Sequence, residues 1–422
     1  MSSSTQRSSR GRSAGLFGSA LLALVVAVTA CTASAPPTPA PAALGVLGVL
    51  KIGILVPFTE SAIDSDIGAS QRRAADLYLK LKGGLLAGRE VQLVYNDESS
   101  LEASINTARI AQFLKDDHVE LLLGGAADPA AYQLRDTAEA SKMIYIDTNA
   151  TANALTRGRK SKYVFRAAPS SWQLSEPLGE YESKLGLRDF FVVAGDDAFG
   201  TDSATAFAEG LAKNGGKVTG RSIVPAKTGA DWAKVVAAIK AQPVKNVFVA
   251  LITDDAEGFM NAWGSAGMAA GGYKLAGPGH LSDFQVLKTT KQAALGAVTA
   301  YPWSSELDNA ENKTFTDEFK KAYKDDETGQ PLPPDGYAVE MWNTMRALEE
   351  ALKVTKGATA DTDALIAALE GVSFNGPGGA FAFDRATHSA TQDLYARVVK
   401  AVGGVLVNAV ADKLGSVKDQ GQ

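Results

Sequence analysis

From Leu50 onward, short apolar runs alternate with stretches whose apolar residues recur every three to four positions. Residues 52–56 (Ile-Gly-Ile-Leu-Val) read as a buried strand. In the next stretch Ala74, Leu77, Tyr78 and Leu81 fall at i, i+3, i+4 and i+7, which places them on one face of a helix. Gly83-Gly84 and Gly88 mark the return, and residues 91–95 give a second strand; 120–123, 143–146 and 163–165 give further ones. The rhythm restarts at 190–194, followed by a helix carrying Ala204, Phe207, Ala208 and Leu211 on one stripe. A cleaner stripe, Trp232, Val235, Val236 and Ile239, comes next, with strands at 247–252 and 297–301. Phe315 with Phe319, and Met341, Met345, Leu348 and Leu352, have the spacing of core stripes.

Strands alternating with helices imply βαβ units and a parallel sheet covered on both faces. Two successive arrays give an α/β fold of two doubly wound, Rossmann-like domains joined by hinges. In open sheets of this kind ligands lie outside the carboxyl ends of the strands. Two such domains facing each other form a cleft, and closure on a ligand is a hinge motion.

The first thirty residues follow a different logic. Arg7, Arg10 and Arg12 precede an apolar run at 16–28, shorter than the ~20 residues that span a bilayer. The run ends in Val28-Thr29-Ala30-Cys31, and Cys31 is the only cysteine. This resembles the bacterial lipobox, which implies a signal peptide at 1–30 and lipidation of Cys31. Residues 31–49 are then a Pro/Ala linker that tethers the body above a membrane. A lone cysteine also excludes a disulfide framework and a thiolate metal site.

At 422 residues, 45% hydrophobic and 21% charged, the chain has globular composition and the length of two domains. Lys+Arg 42 against Asp+Glu 47 are spread along it without a basic block, so nucleic acid is not an expected partner. His118, His280 and His388 stand in distant segments without metal-ligand spacing, and no nucleophile elbow, P-loop or H-E-x-x-H is present. No enzyme activity, cofactor or metal is expected.

A set of ordered landmarks spans residues 50 to 402: Lys51 to Thr59 (Lys-Ile-Gly-Ile-Leu-Val-Pro-Phe-Thr), Gly68, Gly88 to Val94, Asn149 to Thr156, Tyr163 to Ser170, Asp196 to Gly200 and Asn309 to Lys313. In this order and spacing they resemble the type I periplasmic binding proteins of the leucine/isoleucine/valine class. The resemblance implies two lobes joined by a three-crossing hinge, at 50–167 plus 303–374 and 168–302 plus 375–422. It also implies an extracytoplasmic monomer that captures an amino acid, amide or related small molecule and hands it to an ABC permease with its cytoplasmic ATPase. The lipid on Cys31 would hold it at the cell membrane. The rival role is a ligand sensor reporting to a membrane receptor.

The same resemblance points to a pocket. In amino-acid-binding relatives the ligand carboxylate sits on hydroxyls and N–H groups at a helix start, where unpaired donors favour an anion. Here Asp128 stands where those relatives have serine; it can also act as an N-cap before Pro129. Asn149 and Thr151 keep ligand-gripping positions, Thr151 with a helix cap as its alternative. Trp172 offers a stacking face or hinge packing. Phe199 replaces a tyrosine and Ile67 an aromatic. The segment Gly277-Pro278-Gly279-His280 lacks the acid that pairs with a ligand ammonium, and Asp254 and Asp255 are candidates to replace it. An extra acid at Asp128 and a missing one near Gly279 favour a neutral or cationic polar solute over a simple aliphatic amino acid, and a stacking Trp172 would suit a planar one.

Overall fold

The computed structural model describes residues 47–227 and 229–421. The signal peptide, Cys31 and most of the linker lie outside the described residues. Among those described, no helix is long and apolar enough to cross a membrane.

The first sheet has six strands, in the order Leu85–Leu86, Arg89–Asp97, Leu50–Val56, Leu121–Gly124, Tyr145–Asp147 and Val164–Arg166. All pair in parallel except the two-residue edge strand. Leu121–Gly124 is buried along its whole length, the continuous apolar run that a parallel strand covered on both faces requires. The helix Ala62–Leu81 covers one face, with Ala74, Leu77 and Tyr78 buried; Leu81, at its last turn, is exposed. Helix Gly336–Thr355 lies along it and buries Met341, Met345, Leu348 and Leu352. Trp342 meets Tyr78 edge-on at 4.8 Å, and Phe315 closes the far side. The start of Ala62–Leu81 comes so near the first strand's end that a Cβ at Gly68 would fall 1.7 Å from the Pro57 carbonyl oxygen.

The second sheet is mixed. Lys217–Val224, Asp189–Gly195, Asn246–Ala250, Lys274–Pro278 and Val298–Tyr301 run parallel. Beyond them Ala390–Val402, Gly379–Phe383 and Ser373–Gly376 are antiparallel, and Val405–Val417 forms a long hairpin with Ala390–Val402. The sequence pattern shows neither this C-terminal block nor Lys217–Val224. Lys217–Val224 is an edge strand in which Lys217, Thr219, Arg221 and Ser222 break up the apolar residues, so it carries no long apolar run to read.

The chain passes between the sheets three times: after Arg166, after Tyr301 and before Ser373. The first crossing is fastened by Arg166, fully buried, whose guanidinium donates to Ala152 O, Ser389 Oγ, Thr156 Oγ1 and Asp419. Asp419 also accepts from Arg157 and Ser170, so the C-terminal end returns to the hinge. Ser170 and Gln173 form a reciprocal capping box that starts helix Ser171–Lys184 directly after this crossing.

Candidate functional site

Loops leaving the carboxyl ends of strands in both sheets surround a cavity of ≈ 300 Å³. The first sheet supplies Pro57, Glu60, Asp64 and Ile67, then Glu98, Ser100 and Leu101, then Ala126 to Pro129 with Tyr132, then Asn149 and Thr151. The second supplies Asp197, Ala198, Phe199, Ala226, Lys227, Ile252, Thr253 and His280; Tyr337 comes from the start of Gly336–Thr355. The volume lies at the lower end of small-molecule sites, so the wall is shaped for a compact solute. Hydrogen bonds cross between the two sides: Asn153 N–H to Asp202 Oδ2 at 2.8 Å, and Tyr337 Oη–H to Asp283.

Six residues singled out in the sequence converge here: Ile67, Asp128, Asn149, Thr151, Phe199 and His280. Two do not. Trp172 lies in the first turn of the helix that the Ser170 capping box starts. Its indole N–H donates to Glu209 at 3.3 Å, and the Arg157 guanidinium lies 5.7 Å above its ring, so it packs in the seam outside the cavity. Asp254 sits in the first turn of helix Thr253–Ser265, where an acid favours the helix dipole, and lines a neighbouring recess instead. Asp255 accepts the Lys227 N–H at 2.7 Å and is also outside.

Asp128 is not the N-cap of helix Asp128–Ser141; that position belongs to Ala127, and Pro129 follows as the second helical residue. Its Oδ1 accepts the N–H groups of Thr151 and Ala152, at 3.0 and 2.9 Å. Glu98 does the same on the other side, accepting from Ala126 and Ala127 at 2.8 and 2.7 Å. Burial pushes Glu98 up to about 8 against the pull of those two N–H groups. Burial likewise raises Asp128 to about 6, with Asp197 adding to the rise and the Ala152 and Thr151 N–H groups opposing it.

The Asn149 Nδ2 donates to Ala126 O at 2.8 Å, which fixes the amide so that its Oδ1 has no partner among the described residues. His280 is held neutral: burial and then Arg397 push it down to about 3. Its ring meets Phe199 edge-on at 5.4 Å and Tyr301 at 5.8 Å. The missing acid near Gly279 has a steric cause. A Cβ there would fall 2.3 Å from the Tyr301 ring and 2.8 Å from an Arg397 nitrogen.

Residues 49–404 match the family described as periplasmic binding protein. The chain belongs to that family. A curated relative from Brucella suis biovar 1 (strain 1330), named Leu/Ile/Val-binding protein homolog 6, is 26% identical over 361 residues, covering 85% of this chain and 90% of the relative. Among solved structures, an ABC-transporter solute binding protein from Rhodopseudomonas palustris BisB5, in complex with 3,4-dihydroxy benzoic acid, superposes with TM-score 0.81. It is 29% identical and covers 88% of this chain and 99% of its own. A second, from R. palustris in complex with benzoate, gives TM-score 0.79 at 27% identity, over 89% and 99%. This periplasmic binding protein is therefore of the extracytoplasmic, substrate-binding type that serves ABC transporters.

The wall also contains residues that sequence reasoning missed. Glu98 follows Arg89–Asp97 within Asp97-Glu98-Ser99-Ser100, a polar run that reads as a solvated loop. Lys227 and Tyr337 likewise adjoin element ends. The available signal is positional: polar residues just past the carboxyl end of a parallel strand face the ligand side.

Proposed function

We propose that this binding protein is the lipid-anchored receptor of an ABC importer, capturing a small polar solute between its two lobes and delivering it to a membrane permease. One observation carries the reading. Loops from the strand ends of both sheets enclose one compact cavity, and hydrogen bonds such as Asn153 to Asp202 link its two sides. A ligand held there touches both lobes and stabilises closure, the state a permease would recognise. The lipobox-like Cys31 supports attachment to the membrane surface, and the Pro/Ala linker gives the body reach. Asp128, Asn149, Thr151, Ile67, Phe199 and His280 are the proposed contacts. The solute is an amino acid, amide or related compound. Relatives that hold aromatic acids, or are named for branched-chain amino acids, support that size class.

The test is a thermal-shift screen of the chain from residue 32 onward. The library spans branched-chain amino acids, amides, urea, polyamines, polyols, and aromatic acids and amines. A solute at about 100 times its dissociation constant is expected to add about 2.7 kcal/mol of stability. One chemical class should respond and the rest stay silent. A library with no responder would overturn the solute-binding reading.

A further inference from the structure

We infer that the cavity takes a compact organic cation, an ammonium or amidinium group on a flat or ring-shaped body, in preference to a carboxylate. This rests on the solute-binding reading above and names the substrate class of the same site. An anion bound at a helix start needs free N–H donors. In this protein Ala126 and Ala127 already donate to Glu98, and Thr151 and Ala152 to Asp128. The protein's own carboxyl groups fill the place of a ligand's; burial holds protons on Glu98 and Asp128, and a bound cation would draw those protons off.

The charged groups of the remaining wall are mostly acidic. Glu60, Asp64 and Asp197 join Glu98 and Asp128 around the cavity, and Lys227 is the one lysine or arginine among the lining residues. Lys227 could attract an anion, but it already faces Glu98, Asp64 and Asp255. The Asn149 Oδ1, buried at the wall and without a partner among the described residues, is an acceptor waiting for an N–H. His280, being neutral, offers no positive charge to an anion. Phe199, Tyr132, Tyr337 and His280 give the cavity aromatic surface, and ring faces attract cations. The acids, the Asn149 Oδ1 and the rings therefore favour a positively charged nitrogen beside a ring, with Lys227 the opposing charge.

Calorimetric titration at about pH 8.5, above the values of about 6 for Asp128 and about 8 for Glu98, of the chain from residue 32 onward with ring compounds of one size and different charge tests this. Benzylamine and benzamidine supply the cation, benzyl alcohol and benzamide the neutral analogue, and benzoate the anion. The cations are expected to bind at least about tenfold tighter than the neutral pair and about 100-fold tighter than benzoate. Asp128→Asn and Glu98→Gln should each lower cation affinity about tenfold and barely move the neutral compounds. The charge series in the unaltered protein keeps the test intact if either variant folds poorly. Benzoate or a neutral ring binding as tightly as the cations overturns the inference, as does silence of every ring compound at about 10 mM. Either result leaves solute binding standing so long as the broad screen has a responder.

Discussion

Replacing Asp419 by alanine is expected to cost about 3–5 kcal/mol of folding stability, because it strands a buried guanidinium. Arg166 is fully buried and, among the described residues, its only carboxylate partner in an ion pair is Asp419, at 3.4 Å. Asp419 also holds Arg157 at 2.9 Å and accepts from Ser170, the N-cap of the first helix past the crossing. Burial alone would raise the Asp419 carboxyl, yet Arg166, Arg157 and Ser170 together keep it below its usual range. A carboxyl depressed in the fold contributes stability at neutral pH that is lost as the pH falls below its unfolded value, 3.8. Denaturant unfolding at pH 7 measures the effect directly. A loss under about 1 kcal/mol would mean that the pair behaves like an exposed one and does not fasten the hinge.

The second large effect is one of pH, with the opposite sign. The ligand-free protein should lose stability as the pH rises from about 5 to about 8.5. Burial raises Asp128 from 3.8 to about 6, Asp283 from 3.8 to about 7, and Glu98 from 4.5 to about 8. Between the unfolded and folded values the native state holds more protons than the unfolded chain. The stability these groups contribute is complete below about pH 4 and disappears as the pH passes through 6 to 8. For Asp128 alone the span corresponds to on the order of 3 kcal/mol. Neutral His280 opposes the loss, but only up to its unfolded value of 6.5, and carboxyls that are lowered, such as Asp419 and Asp384, titrate below the window. The melting temperature is expected to fall by about 5 °C or more across the range. A flat or rising profile would contradict the view that these acids are protonated in the ligand-free protein.

Much of the fold is legible in the sequence because its central strands are buried on both faces. Residues 52–56 and 121–123 show as unbroken or nearly unbroken apolar runs for that reason. Lys217–Val224, an edge strand, and the hairpin Ala390–Val417, whose first strand buries the polar Gln392, Asp393 and Arg397, are not legible in the same way because both mix polar and apolar residues. The site divides similarly. Asn149, Thr151 and Phe199 sit in segments with a recognisable order, and the structure brings them to one wall. The role of Glu98 depends on N–H groups 28 and 29 residues further along, a contact that no local pattern encodes. Of the two roles open to Trp172, stacking or hinge packing, the contacts with Glu209 and Arg157 fit the packing one, a choice set by residues distant in sequence. Asp128 shows how a local rule can lose to packing. Its residue type suits a cap for its own helix, but its carboxylate serves the neighbouring loop.

Binding of a solute between the two sheets is measured most directly by a crystal structure with the strongest responder of the thermal-shift screen. The account predicts one molecule in the ≈ 300 Å³ cavity, with a polar group within hydrogen-bond reach of Asn149 Oδ1 and its body against Phe199 and His280. The ligand seated elsewhere, for example in the separate recess beside Trp303, Pro333 and Leu406, with the cavity between the sheets unfilled, would contradict it.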